Sequence, residues 1–367
     1  MTEATDYRAP FEMTVSPGFA AWLADTDVSL AFAVPPQKLV FVGRDLSGEI
    51  AVFERSFDKT MGLARDGTHR LHLATRTGIW RFEHADVEFL DAEAGYDRCF
   101  VPREVRITGN VNTHDVAVDP RGGPAGGVVF VATRFGCLAR PSDTVSFEPI
   151  WQPPFLHGFG AGDRCHLNGL AIGPDGPEFV TAVATTDALE RWRWHRAGGG
   201  VVVNVPSGEI VADGFSMPHS PRLHRGELWL TNSGSGELCR IDPEAGTWEA
   251  VAFAPGFLRG LTFVGDYAVV GSSKPREGDL YSGLPLDDAL AERGMRPRLG
   301  IFVIELSTGR VCEWLFIEGE PRELFDVTVL PGVRRPAALG IVAGDLYRRA
   351  WFREDALVRD EHGWQPA

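Results

Sequence analysis

Short apolar runs, many alternating with polar residues and each stopped by Gly, Pro, Asp or Asn, fill the chain, and long helical periodicities are few. The clearest run, Cys165-His166-Leu167-Asn168-Gly169-Leu170-Ala171-Ile172, ends at Pro174-Asp175-Gly176. Placed in register with Gly169, the same pattern returns as Met61-Gly62-Leu63-Ala64, His114-Asp115-Val116-Ala117, His219-Ser220-Pro221-Arg222, Arg259-Gly260-Leu261-Thr262 and Phe325-Asp326-Val327-Thr328. The six anchors, Gly62, Asp115, Gly169, Ser220, Gly260 and Asp326, lie about 40 to 66 residues apart. That period fits four-stranded propeller blades and not helical repeats. Second strands are predicted at 71–75, 128–133, 179–184, 227–231 and 267–271, and third strands at 78–82, 200–205, 236–241 and 300–305. Asp-Pro-Glu-Ala-Gly, Pro-Ser-Gly and Leu-Ser-Thr-Gly stand between apolar runs, where Gly and Asp relieve a tight reversal. The expected fold is an all-β, six-bladed propeller.

The ends of the chain complete one another. Segments 29–33, 38–43 and 49–57 precede the first anchor, whereas 324–330 and 337–342 follow the last. Blade six is therefore expected to take inner strands from the C-terminus and outer strands from the N-terminus, closing the ring and removing exposed sheet edges. This divides the chain into an N-terminal extension, 1–27, with a short helix over 17–24; the propeller, 28–345; and a tail, 346–367. Two long connections stand out: 185–200, carrying Trp192-Arg193-Trp194-His195-Arg196, and 272–299, with a helix over 286–293. Such loops in a compact repeat are expected to be functional covers or disordered inserts.

Composition narrows the function. One propeller uses nearly all of the 367 residues, and Gly 42 with Pro 25 suit a chain that turns after every strand. A net charge of −14 and a pI near 5.2 argue against a nucleic-acid surface while leaving room for a local cationic pocket. Cys99, Cys137, Cys165, Cys239 and Cys312 lack metal-knuckle or disulfide spacing and read as reduced core residues. The N-terminus lacks the basic and apolar regions of a signal peptide, and no run is apolar enough to span a membrane, so a cytoplasmic location without a membrane partner is the expectation.

Candidate chemistry gathers at the starts of the inner strands. One residue before the anchors stand Met61, His114, Asn168, His219, Arg259 and Phe325; two residues earlier stand Lys59, Asn112, His166, Met217, Phe257 and Glu323. Strand alternation puts both sets on one side, at one mouth of the channel. Antiparallel pairing delivers the ends of the second strands to the same face, adding Arg76, Arg134 and Asn232, together with the two long loops and Trp194. His114, His166 and His219 then suggest a site for Zn, Fe or Cu with an open coordination position, and Glu323 a fourth ligand or a base, with His166 a further catalytic candidate. Two other readings stand beside it: a wet, polar channel without a ligand, and metal-free histidine acid/base catalysis. The arginines suit a carboxylate or phosphate, or tie blades through carbonyls. His69, His72, His84, His157, His195, His224 and His362 fall on turns or outer positions and read as surface groups, His195 excepted because of its loop, and Cys165 beside His166 reads as core.

The stretches Asp163-Arg164-Cys165-His166-Leu167-Asn168-Gly169-Leu170-Ala171, Ser216-Met217-Pro218-His219-Ser220-Pro221-Arg222, Pro255-Gly256-Phe257-Leu258-Arg259-Gly260-Leu261 and Gly271-Ser272-Ser273-Lys274-Pro275-Arg276-Glu277 resemble a bacterial family of propeller-like proteins without an assigned function. The resemblance covers roughly residues 28–340; it implies a bacterial source and supplies no reaction. More remotely the blades look like those of strictosidine synthase, senescence-marker and NHL-repeat propellers, among which are calcium- or zinc-dependent lactonases, a condensing enzyme and pure binding modules. The Glu/Asn/Asp calcium pattern of the lactonases is not matched by the histidine set. The resulting expectation is a metal-dependent hydrolase or lyase acting on a small anionic or peptide-derived substrate. The alternative is a non-catalytic propeller that holds a ligand or protein at the same mouth.

Overall fold

Six antiparallel sheets radiate from the inner strands that the anchors introduce in the computed structural model, which describes residues 11–85, 95–275 and 282–340 and a backbone strand pair, Leu357–Asp360 with Gly363–Pro366. The inner strands are Leu63–Asp66, Thr113–Val118, Leu167–Gly173, Pro218–His224, Phe257–Val264 and Asp326–Pro331. Blade six joins Asp326–Pro331 to Val28–Val34, Lys38–Arg44 and Ile50–Ser56, with Ala33 opposite Asp326. Val28–Val34 is buried at every position, as a central strand packed on both faces should be. The core lies between blades: Phe41 of blade six stacks on Phe100 of blade one at 5.8 Å.

The termini share blade six, as the sequence led one to expect, but the split of strands differs. Only one C-terminal strand enters blade six. The segment expected as its second strand forms Pro336–Ala338, which pairs in parallel with the outer strand Arg98–Ile107 of blade one. Phe11–Val15, unforeseen in the N-terminal extension, adds a fifth strand to blade five, Val15 opposite Leu315. The helix beyond it runs Phe19–Asp25 and buries Phe19, Trp22 and Leu23 among residues of blades five and six. Both additions cover edges that would otherwise stay unpaired. The helix of the second long loop is Pro285–Glu292, opened by Pro and two acidic residues, with Leu286 and Leu290 buried one turn apart. Part of the expected tail, 346–356, lies outside the described residues, as does His362. Among the described residues no helix is long and apolar enough to cross a membrane.

The anchors form a pinch across the channel. Glycine stands on blades one, three and five, and a polar residue on blades two, four and six. Each polar anchor accepts a hydrogen bond from the next blade's backbone: Leu170 N–H to Asp115 (3.0 Å), Gly260 N–H to Ser220 (2.9 Å) and Leu63 N–H to Asp326 (2.8 Å). Each glycine lets the following blade approach: a Cβ on Gly62 would lie 3.2 Å from Asp115 Cα, and one on Gly260 2.8 Å from Asp326 Cα. Ladder irregularities at Leu167/Gly169, His219/Arg222 and Arg259/Leu261 re-aim the strands there. Arg222, two residues past Ser220, binds Asp115 with both terminal nitrogens, at 2.7 and 3.1 Å, and lies 3.9 Å from Asp326. One guanidinium thus faces two carboxyls. Burial pushes Asp326 up to about 7 against the attraction of Arg222, and the Asp115 charge adds to the rise.

Most histidines expected at the surface are there or half-buried, but His72 is not. It is 1% exposed, and desolvation lowers it to about 4. His72 follows Leu71 in a strand, Arg70–Ala74, whose last four positions are all buried, so alternation gives it no solvent face. Cys137, Cys165, Cys239 and Cys312 are free thiols, and Cys165 is fully buried with its thiol pushed up to about 12 by desolvation, as a core residue requires.

Two outcomes test the pinch. Gly260→Ala should destabilise the fold by about 1–3 kcal/mol more than Gly265→Ala, because both glycines have positive φ but only Gly260 faces backbone within 3 Å. Equal midpoints in urea would show that the close approach is dispensable. For Asp326, the folded chain keeps a proton up to about 7 that the unfolded chain releases near 3.8. Its contribution to stability therefore falls as pH rises through that window. Between pH 5 and pH 8 the native protein should lose more stability than Asp326→Asn; an equal or smaller loss would show the carboxyl to be ionised throughout.

Candidate functional site

The approach to the inner strands is bent in a repeated way. Three residues before the anchor, Lys59, Asn112, His166 and Met217 all have φ between 47° and 55°. This left-handed step breaks simple alternation. In blades two and four the residue before the anchor, His114 or His219, supplies the imidazole. In blade three that position is Asn168, which is buried and accepts a hydrogen bond from the Thr181 hydroxyl at 2.7 Å. The bend at His166 brings the third imidazole in from two residues earlier. One ring nitrogen from each of His114, His166 and His219 lies within 4.8 Å of the others, so the group is able to hold a metal ion. The His114 ring is 4.7 Å from His166 and 6.2 Å from His219, centre to centre.

Hydrogen bonding assigns the tautomers. His114 Nδ1 is 3.0 Å from the Asn112 carbonyl, and His219 Nδ1 is 2.9 Å from the Met217 carbonyl. A carbonyl only accepts, so both Nδ1 atoms carry the proton. The hydroxyls agree: Thr133 and Ser233 donate to the carbonyls of Leu167 (2.6 Å) and Leu258 (2.5 Å), leaving their oxygens to accept from His114 Nδ1 (2.8 Å) and His219 Nδ1 (3.0 Å). His166 Nδ1 donates to the Asp163 carboxylate at 2.5 Å, and its backbone N–H to the other oxygen at 2.9 Å. Each imidazole therefore points its protonated nitrogen away from the cluster, the arrangement by which outer groups orient metal ligands. His219 Nε2 is buried without a hydrogen-bond partner, a desolvation cost of about 1–3 kcal/mol unless something else engages it. Burial, then the charges of His166, Arg259 and His219, hold His114 well below the usual imidazole range. Burial and then Arg259 do the same for His219, so both are neutral at neutral pH.

Above the cluster opens a cavity of about 650 Å³. Its lining includes His114, His166, Asn112, Arg134, Arg259 and Glu323 among the residues expected from sequence; His219 lies beneath, 4% exposed. Four expected binders fall elsewhere. Arg76 pairs with Asp58 (3.1 Å) outside the cavity. Asn168 is held by Thr181. Asn232 is buried between the Ser216 N–H (2.7 Å) and Glu237. Trp194 is 74% exposed beneath Arg191, and its neighbour Trp192 takes the expected place, stacked on His166 at 4.0 Å. The side chain that packs inward is set by the turn Arg191–His195, which alternation does not describe.

Sequence reasoning also missed the groups behind the imidazoles. Asp163 sits three residues before His166, and Thr133 and Ser233 occupy equivalent places just past or at the end of the second strands of blades two and four; that shared spacing was the available signal. Trp192 joins Met217, Phe257, Leu286 and Leu290 in one apolar cluster, so both long loops pack together behind the site.

Solved structures similar in fold share little sequence. A chain of a nidogen/laminin complex is 12% identical, with a TM-score of 0.50 over 83% of this chain and 99% of that chain. A protein of unknown function from Bacteroides caccae is 10% identical (TM-score 0.45; 84% and 100%), and a structure described as an oxidoreductase (glucose dehydrogenase) from Thermus thermophilus is 17% identical (TM-score 0.44; 68% and 91%). At such identities the likeness to the first shows the propeller fold alone. No curated protein matches the chain in sequence. Residues 17–339 match the family described as Domain of unknown function (DUF4915), and the chain belongs to that family.

Proposed function

We propose that His114, His166 and His219 hold a divalent transition metal, Zn, Fe or Cu, through their Nε2 atoms, and that the protein is a metal-dependent enzyme hydrolysing or eliminating on a small anionic or peptide-derived substrate. The observation that carries this reading is the set of three Nδ1 atoms committed to outer acceptors in a group whose members each offer one ring nitrogen within 4.8 Å of the others. Ligand nitrogens around a tetrahedral ion with bonds of about 2.1 Å stand roughly 3.4 Å apart. The cluster, within 4.8 Å, needs a tightening on the order of 1 Å as the ion enters. A bound ion would supply Lewis acidity and an acidified water at the position the three imidazoles leave open.

The chain's own groups complete the site. Glu323 belongs to blade six, across the ring from the blade of His166, and lines the cavity from which a substrate would enter; it is assigned the role of base. Arg134, Arg259 and Asn112 are assigned to the substrate, the arginines to its anionic group. Imidazoles held well below their usual range are weak bases, so the metal-free acid/base reading is less well supported for His114 and His219.

Elemental analysis of protein purified without a histidine tag should find about one transition metal per chain, as a three-imidazole site implies. Replacing His114, His166 or His219 singly by Ala should remove most of it, whereas exposed His69→Ala should not. Glu323→Gln should retain the metal if Glu323 is the base, and lose it if Glu323 is a ligand. Folded protein that takes up no Zn, Fe or Cu would sink the enzyme reading and leave the mouth to a binding function.

A further inference from the structure

We infer that the opposite mouth of the channel is a second binding site, a small apolar well that takes an organic monocarboxylate against Arg65. It is independent of the metal reading, because none of its lining residues belongs to the histidine cavity. The inner strands run from the histidines through the pinch to this far end. Two residues beyond the anchors stand Ala64, Ala117, Ala171, Arg222, Thr262 and Thr328, five small side chains and one long one. The room they leave lets Arg222 cross from blade four to Asp115 of blade two (2.7 Å) and towards Asp326 of blade six (3.9 Å). Beyond that crossing lies a cavity of about 330 Å³ to which all six inner strands contribute. Val118, Ile172, Leu223 and Phe263 give it an apolar wall. Its volume is at the lower end of the range of ligand cavities, about 300–1,000 Å³.

The charges of the well say what it takes. No carboxylate lines it, although the chain carries a net charge of −14. Its titratable members are Arg65, Arg222 and His224, and His224 donates from Nε2 to the Gly265 carbonyl at 3.1 Å. Arg222 is balanced by Asp115 through both terminal nitrogens, while Asp326 keeps its proton up to about 7. Arg65 bonds only the Gly67 carbonyl, at 2.7 Å, and makes no ion pair among the described residues; its neighbour Asp66 is engaged by Arg70 at 2.6 Å. Water reaches Arg65, yet desolvation by the surrounding walls lowers it from an arginine's ordinary value against the Asp66 charge. One uncompensated cation in an apolar well suits one negative charge on an apolar body. The planar guanidinium fork matches two carboxylate oxygens, and a hydrocarbon chain would cover the wall. A dianion would have to bury its second charge against apolar side chains.

Calorimetric titration of hexanoate into the native protein at pH 6 should show one site per chain. Three probes divide its chemistry: hexanamide keeps the chain without the charge, acetate the charge without the chain, and adipate adds a second charge. Each should bind about tenfold more weakly than hexanoate, or worse, the factor that one charge-assisted hydrogen bond or a few buried methylenes implies. These comparisons need no variant. Arg65→Met, which gives up only a bond to the carbonyl of its own turn, should lose about tenfold in hexanoate affinity and none for hexanamide. Arg134→Met, at the histidine mouth, should bind hexanoate as the native protein does. Absence of hexanoate binding would overturn the inference outright. Equal affinity for hexanamide would overturn the role of the cation, equal affinity for acetate the apolar wall, and equal affinity for adipate the single charge. A loss in Arg134→Met with none in Arg65→Met would move the carboxylate to the histidine mouth and overturn the second site.

Discussion

A ring of side-chain to backbone hydrogen bonds across the central channel sets the distance between the blades. Asp115, Ser220 and Asp326 each reach into the next blade, and Gly62, Gly169 and Gly260 open the room for the polar anchor that follows. With no Cβ in the way, backbones meet at a spacing no other residue permits. Ser220, where the other two polar anchors are aspartates, makes the pattern unsymmetrical, and Arg222 on the same strand supplies charge to the two acids. Burial makes that network sensitive to protonation: one cation can fully satisfy one carboxylate, and Asp326 is the acid whose proton affinity rises.

One step above the pinch the same device serves the histidines. Thr133, Ser233 and Ser273, near the ends of second strands, donate to the carbonyls of Leu167, Leu258 and Leu324 in the following blades. Two of these hydroxyls also accept the Nδ1 protons of His114 and His219. The bonds that hold neighbouring blades together thus also orient the imidazoles of His114 and His219. His166 has no hydroxyl of this kind. It is held by Asp163 on one edge and by Trp192 across its face, and Trp192 is fixed by an apolar cluster drawn from both long loops.

The termini show how the fold manages its edges. Blade six is completed by the strand Val28–Val34 lying beside Asp326–Pro331, which links the two ends of the propeller by a full run of ladder pairs. Phe11–Val15 and Pro336–Ala338 then extend blades five and one outward. A six-bladed ring leaves an outer edge on every blade, and these added strands shield two of them.

The period of the anchors, the Gly and Asp punctuation and the incomplete strand sets at the two ends were enough to specify a six-bladed ring closed by its termini, because those features are local and recur in register. The same register put His114, His166 and His219 at one mouth with Arg259 and Glu323, and antiparallel pairing added Arg134. What the sequence left undecided depends on distances between blades. Alternation could not show that the left-handed step at His166 would exchange its place with Asn168, that Arg76 would find Asp58, or that Trp192 and not Trp194 would turn inward. Nor could it place Pro336–Ala338 on blade one, since a three-residue strand carries too little pattern to choose between neighbouring sheets. Those outcomes are packing decisions, set by which partner lies close enough to bond once six sheets share one axis. The Nδ1 protonation of His114 and His219 is of the same kind, because it is read from carbonyls and hydroxyls that only ring closure brings within reach.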